Sequence, residues 1–385
     1  MRLRRAAVVA GLALLGATPA LAQPAQAPAP APARQPVFTP RVDVGVVYDD
    51  NLFSQPNASF DTILRISPTL AIFRETQVHT FSTQYSFDAE RYQDFKDLSS
   101  PFVRQNASAN WTARPNPRTT VGLLGDYWRT QTPTDLNLTT GLVAVRQLAT
   151  QWSAGTEITR VFTPRTSFLV GYRFSQSDLA DVGAVDTATQ TGNARLTRRV
   201  NPRTDLRLAY VGEHWSFTPG DTEFSHLGTI GFTRQLTDAT SLTMDGGPRF
   251  AAGLLRPELT ATLARRVAER VDLSLAYAHS QSIAIGVAGL IEVDSVQAAA
   301  TWRHPQVWEV RLAGGGFRNV LSGTEVQAFD AEVEISRALG AGLWFVAHGS
   351  ATFNTRVATG DVPDEQQIRR NVFGVSLRVD PWSPR

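Results

Sequence analysis

The 385-residue chain contains no cysteine. That excludes a disulfide framework, a thiolate metal site and a cysteine nucleophile. Beyond Thr39 no apolar run approaches the about 20 residues that a membrane-spanning helix needs, and few stretches repeat with a helical period. A His-x-x-x-His pair, a glycine-rich phosphate loop and a paired-carboxylate motif are all missing, and neither "SHLG" nor "AHGS" fits a nucleophile elbow. The six histidines, His79, His214, His226, His279, His304 and His348, scatter over separate segments. No nucleophile, base and orienting group stand within one motif. Neither an enzyme nor a cofactor is expected.

A strong charge imbalance is missing too. Lys and Arg number 37 against 35 Asp and Glu. The opening segment "MRLRRAAVVAGLALLGATPALA" carries three of those arginines, an apolar run from Ala6 to Leu15 and small residues ending Ala20-Leu21-Ala22. It reads as a secretory signal peptide over residues 1–22, too short in its apolar part to be an anchor. Cleavage after Ala22 leaves 34 basic against 35 acidic residues, a net of −1. No nucleic-acid partner is expected from that balance. Residues 23–39 follow as an Ala/Pro-rich periplasmic linker with nothing to bury.

What the chain does have is alternation. Runs such as "VDVGVVY" (42–48), "FSTQYSFDAERY" (81–92), "TSFLVGYRFSQ" (166–176), "VDLSLAYAHSQ" (271–281), "EVRLAGGGF" (309–317) and "NVFGVSLRV" (371–379) repeat with period two, the mark of strands. They exceed the common globular strand of about 5 to 6 residues and suit tilted membrane-spanning strands of about 9 to 11. Tight corners near 74–77, 114–118, 163–165, 201–203, 237–239, 267–270, 304–306 and 338–341 alternate with looser links near 51–60, 93–100, 131–148, 179–187, 218–221, 252–254, 284–290, 320–325 and 356–367. Three corners are nearly the same phrase: "RPNPRTT", "RVFTPRTS" and "RVNPRTD". Short turns at one end and longer loops at the other predict an all-β antiparallel up-and-down barrel over residues 40–385, in the outer membrane. The turns count to eighteen strands, with sixteen as the alternative. A propeller also repeats at roughly 40 residues, but no Trp-Asp or Gly-His signature marks one here. A soluble sandwich needs no such pairing of short and long corners.

In such a barrel the apolar parity faces lipid and the mixed parity faces the lumen. Phe168, Val170, Tyr172 and Phe174, then Leu206, Leu208 and Tyr210, then Phe329, Ala331, Val333 and Ile335 are expected outside. The expected lumen lining is Arg173, Asp205, Arg207, Glu213, Asp245, Arg249, Glu309, Arg311, Asp330, Glu332, Glu334 and Arg378. Charges of both signs need water or counter-charges, which argues against a dry core and for an aqueous channel. Cross-barrel ion pairs that stiffen the wall are the plain reading; a sorting field for a charged solute is the sharper one. Tyr48, Phe53, Tyr92, Trp111, Tyr127, Trp128, Trp152, Tyr172, Tyr210 and Trp302 sit near strand ends, as interfacial girdles do. Trp128 and Trp215 fall on the inward parity, where they would suit sugar stacking. Asp49, Asp50, Asn51 and Asp61 offer oxygen ligands for Ca²⁺, or simply make an Asx-rich turn.

Two stretches carry a family resemblance. "GVVYDDNLF" (Gly45 to Phe53) ends the first strand, and "GVSLRV" (374–379) has the Gly-x-x-apolar-x-apolar pattern of a closing strand. With the repeated hairpin phrase they resemble outer-membrane β-barrel porins associated with exopolysaccharide export in Gram-negative bacteria. The resemblance covers roughly 40 to 380. It implies a channel that exports polysaccharide or passes hydrophilic solutes, with outer-membrane lipid, the barrel-assembly machinery (through the last strand), a polysaccharide and periplasmic export proteins as partners. Barrel chains commonly end on an aromatic residue; here "DPWSPR" follows Val379, with Trp382 as the nearest aromatic. The rival expectation is an assembly or adhesion component that binds an outside partner through its loops.

Overall fold

A computed structural model describes residues 37–380 apart from 133–135, 138, 143–145, 182–183, 305–306, 322–323, 341 and 358–366. The signal segment, most of the Ala/Pro linker and Trp382 lie outside the described residues. Eighteen strands are formed: β1 (Val37–Asp49), β2 (Asp61–Glu75), β3 (His79–Tyr92), β4 (Ser100–Asn116), β5 (Thr119–Thr130), β6 (Ala149–Thr163), β7 (Thr166–Leu179), β8 (Asp186–Asn201), β9 (Thr204–Thr218), β10 (Thr222–Thr237), β11 (Thr240–Ala251), β12 (Leu254–Val267), β13 (Val271–Ser282), β14 (Ile291–Arg303), β15 (Trp308–Leu321), β16 (Thr324–Gly340), β17 (Leu343–Val357) and β18 (Gln367–Val379). Each is antiparallel to its neighbours in sequence. β1 also pairs with β18, from Val42 opposite Val379 to Asp49 opposite Val372, so the sheet closes with no free edge. From Val42 onward closure pairs β1 on both sides, as a strand in hydrocarbon must be. It also rules out the propeller, the sandwich and the sixteen-strand count.

The first strand begins at Val37, three residues before the expected boundary. Val37 to Arg41 pair only with β2, because the β18 ladder starts at Val42. Pro40 therefore sits where one side of the strand has no ladder, and its missing N–H removes no bond there.

The repeated corner phrase has a local cause. Asn116 Oδ1 accepts the N–H of Arg118 at 3.0 Å, Thr163 Oγ1 that of Arg165 at 3.2 Å, and Asn201 Oδ1 that of Arg203 at 2.9 Å. The side chain two residues back closes the turn, and in all three the intervening proline presets its φ. The turns are then stitched to the next hairpin. The carbonyl oxygens of Arg118, Arg165, Arg203 and Ala239 accept the N–H of Val161, Arg199, Gln235 and Arg266 at 2.7 to 2.8 Å. The hairpins from β4 to β13 thus meet the short-turn end in one repeating register.

The exterior is apolar and the interior polar. Leu208 is 55% exposed and Ile230 72%, while Arg207 between Leu206 and Leu208 is 8% exposed. A soluble protein would invert this arrangement; lipid is the outer solvent here. Both described chain ends lie at the short-turn end, the periplasmic end of such barrels.

Candidate functional site: the inner wall and the outer mouth

The ladder registers bring the predicted lumen residues onto one inner surface, where most are neutralised by a neighbour one or two strands away. Arg207 Nη2 donates to Asp245 at 2.6 Å and its Nη1 to Thr233 at 2.6 Å. Arg249 lies between Glu213 and Glu258, donating to Glu258 Oε1 at 2.5 Å and to Ser225 Oγ at 2.6 Å. Arg199 pairs with Asp205 at 3.0 Å. Arg311 reaches Glu309 at 2.8 Å and Glu334 at 3.6 Å. Arg173 is 3.8 Å from Asp126. Arg378 pairs with Asp43 at 2.7 Å across the closing seam. Guanidinium groups suit such cross-strand pairing, because a planar fork meets a carboxylate with two bonds.

Asp330 and Glu332 on β16 differ. Among the described residues neither has an ion-pair or hydrogen-bonding partner. Their ladder neighbours are Gly315 and Thr352, and Ala313 and Ser350. The inner wall thus carries, at mid-strand, two neighbouring carboxylates that no ion pair holds.

A second charged cluster on β2, β3 and β4 was not singled out from sequence. Arg65 donates to Glu90 at 2.7 Å, Arg104 to Asp88 at 3.0 Å and Ser67 to Asp88 at 2.6 Å. The signal was present, since Arg65 and Ser67 alternate with Leu64 and Ile66, but Pro68 interrupts the pattern.

The outer mouth is not open in the way wall parity alone suggests. In the link between β5 and β6, Thr140 and Gly141 reach β15 and β17, nearly across the ring. Gly141 lies against the inward ring of Phe317, and its φ of +61° is one that side-chain-bearing residues rarely adopt; a Cβ there would stand 2.5 Å from Phe317 Cδ2. Asn319 Nδ2 donates to the Thr140 carbonyl at 2.9 Å and Asn354 Nδ2 to that of Gly141 at 3.3 Å. Asn137 Oδ1 accepts the N–H of Ile285 at 2.9 Å, which joins the link to that between β13 and β14. Ala284, Ile291, Val293, Phe317 and Ala328 form an apolar seat, with Leu142 packed against it. At its other end Arg146 donates to Tyr92 at 2.7 Å and to Gln131 at 2.9 Å. The wall remains polar, as expected, but a strap crosses its outer end.

Several residues with proposed roles are spent on structure. Asp49 accepts three bonds from Arg370, the shortest at 2.6 Å. Asp50 accepts the N–H and the side-chain amide of Asn371. Asn51 bonds the carbonyls of Gln55 and Arg369, and Asp61 accepts the N–H groups of Thr62, Gln93 and Phe95. Among the described residues no group of three or more acidic or histidine side chains is arranged to hold a metal. Asp49 Oδ1 also accepts the N–H of Asn51 at 3.1 Å, an Asx turn within this loop. Tyr92 is buried at the mouth with Leu52 and packs near Phe53, so neither aromatic belongs to a girdle. Trp215 is 3% exposed and offers no stacking face; Trp128, on the inward parity, is 37% exposed and does. Tyr48, Trp152, Tyr172, Tyr210 and Trp302 are exposed on the outer surface. His79 stacks on Trp111 and His214 on Phe224, while His226 bonds Tyr210 and His279 bonds Asp294, all on that outer surface.

An edge-free ladder, an apolar exterior and a charged interior define a transmembrane β-barrel of the outer-membrane type. No family model and no curated sequence matches the chain. Among solved structures it is similar to OccK2 (OpdF) of Pseudomonas aeruginosa, with 12% identity, 90% of this chain and 98% of that chain covered, and a TM-score of 0.49. OccAB4 of Acinetobacter baumannii gives 9%, 90%, 99% and 0.49. A mutant of the ferric enterobactin receptor PfeA of Pseudomonas aeruginosa, solved with enterobactin, gives 7%, 90%, 82% and 0.48. At such identities function has to be read from this barrel's own wall and mouth.

Proposed function

We propose that the chain is an outer-membrane channel for small hydrophilic solutes, with a preference for cations. The observation that carries this reading is the inner wall. Its charges are paired around most of the circumference, which keeps the wall hydrated and rigid. Asp330 and Glu332 have no ion-pair partner and make their sector of the wall negative. No catalytic step is assigned to it. Polysaccharide export is the narrower form of the reading. Trp128 supplies one stacking face for a sugar, but the strap across the mouth would have to swing aside for a polymer. An adhesive role gains little, since the described residues of the longest link, among them Asn137 and Thr140 to Leu142, are folded inward.

The test is current through the purified barrel in a planar bilayer. Reversal potentials in a salt gradient should show cation preference at about 0.01 M salt, where screening reaches about 30 Å, and little at 1 M, where it falls to about 3 Å. The Asp330→Asn/Glu332→Gln variant should lose most of that preference while folding normally. A folded barrel that passes no current refutes the channel; unchanged selectivity in the variant refutes the role of the acidic pair.

A further inference from the structure

Four arginines repeat at one position on the outside of the short-turn end. Arg160, Arg198, Arg234 and Arg265 each stand one residue before the N–H that stitches a hairpin to the preceding turn. Each lies opposite the first threonine of the rising strand beside it: Arg160 opposite Thr119, Arg198 opposite Thr166, Arg234 opposite Thr204 and Arg265 opposite Thr240. Arg160 Nη1 donates to Thr119 Oγ1 at 2.6 Å. In three of the four, the residue before the threonine is a turn arginine, Arg118, Arg165 or Arg203. All four carry their side chains on the lipid-facing parity and are exposed, and each is followed two residues later by an exposed apolar side chain, Phe162, Val200, Leu236 or Val267. Arg337 repeats the position on β16 with Trp308 in place of threonine, its Cζ 4.9 Å from the ring.

Pairing separates these arginines from their neighbours. Arg199 and Arg266, adjacent in sequence but inward, are ion-paired with Asp205 and Asp272 at 3.0 Å. Among the described residues none of Arg160, Arg198, Arg234 and Arg265 has an ion-pair partner. An unpaired arginine set between lipid-facing apolar residues places its guanidinium at headgroup level. At that level the phosphates of the membrane are the negative charges within reach. The chain has a single lysine, Lys96, so nearly all its cations are planar forks suited to bidentate contact with phosphate. At Arg234 the residues also enclose space. Asn201, Pro202, Arg203, Thr204, Gln235 and Leu236 line a cleft of about 400 Å³ beside it.

We propose that these four Arg–Thr positions on β5–β12 are phosphate-binding sites for anionic phospholipid headgroups of the periplasmic leaflet. The guanidinium and the threonine hydroxyl hold the phosphate, the turn arginine adds a second cation at Arg118 and Arg165, Arg203 being paired with Asp238 at 3.3 Å, and the flanking apolar side chains meet the acyl chains.

The test is lipid retention in native mass spectrometry of the full barrel, released from nanodiscs holding equal phosphatidylglycerol and phosphatidylcholine. Wild type should keep phosphatidylglycerol with a roughly fivefold preference per site, the equivalent of about 1 kcal/mol per basic side chain at an anionic surface. The Arg160→Gln/Arg198→Gln/Arg234→Gln/Arg265→Gln variant should keep the two lipids equally. Single Arg234→Gln, which leaves three sites, should lose about one bound lipid and covers the case in which the fourfold variant does not fold. Added inorganic phosphate should not displace the lipid, which separates a headgroup site from a free-phosphate site. Equal retention by wild type, or an unchanged preference in both variants, overturns the proposal and would leave the arginines to an acidic periplasmic partner.

Discussion

Placing a charge at increasing depth on one strand measures how β9 sits in the membrane. Thr204 begins β9 at the short-turn rim; Leu206 and Leu208 follow on the outer parity, with Leu208 exposed to lipid. With about 3.4 Å rise per residue and a tilt near 40°, Leu206 stands about 5 Å and Leu208 about 10 Å above the rim. In an apolar band about 25 Å tall the midplane lies about 12 Å up, where an arginine costs about 2 to 4 kcal/mol, against about 0 to 1 at the edge. Leu208→Arg should therefore cost about 2 to 3 kcal/mol and Leu206→Arg about 1. Arg207→Leu is the parity control. Wall parity alone would make it harmless, a water-facing side chain exchanged for another. The structure makes it costly, because it strands Asp245 and Thr233 and forfeits charge-assisted bonds of about 1.5 to 3 kcal/mol. Urea unfolding of each variant in lipid vesicles reads all three. A greater loss for Leu206→Arg than for Leu208→Arg would refute the depth order. Negligible loss for both would show that β9 has its faces reversed.

Two further outcomes follow from the wall and the strap. Arg249→Met leaves Glu213 and Glu258 facing each other without their shared cation; the loss should be about 3 to 5 kcal/mol in the same unfolding assay, and less than about 1 kcal/mol would show that the site is already hydrated. Gly141→Val cannot keep its φ or its contact with Phe317; it should release the strap and raise single-channel conductance with little change in urea midpoint, and unchanged conductance would mean that the strap does not narrow the path.

Period-two alternation makes the wall legible in the sequence. The expected corners at 114–118, 163–165, 201–203 and 237–239 bracket the observed turns because each needs the same Asx or Thr geometry, and that chemistry is local. The outward faces at Leu206, Leu208 and Tyr210 followed because a parity error would flip every side chain. The mouth was illegible for the converse reason. Nothing between Gln131 and Leu148 has a period, and its seat is assembled from Phe317, Asn319 and Asn354, on strands far away in sequence. Phe53 and Tyr92 look like girdle residues because they end strands. Only the inward packing of the loop beyond Leu52 turns them into a buried cluster. Which lumen charges remain unpaired depends on register between strands, so Asp330 and Asp245 are indistinguishable as letters and opposite in circumstance.

Register also sorts the arginines. On β8 and β12 two arginines stand side by side in sequence, Arg198 with Arg199 and Arg265 with Arg266, and the pleat sends them to opposite faces. The inward member finds a carboxylate supplied by the next strand, Asp205 or Asp272. The outward member's ladder neighbours are Thr166 and Leu206, or Thr240 and Leu273, none of which carries a charge. A lone guanidinium in hydrocarbon would be expelled, yet each of these positions is also flanked by exposed apolar side chains that hold the strand at that depth. The two demands are met together only at the boundary between acyl chain and headgroup. An Arg–Thr pair recurring there four times, always outside and unpaired, is what a wall needs to fix its height against a layer of phosphates.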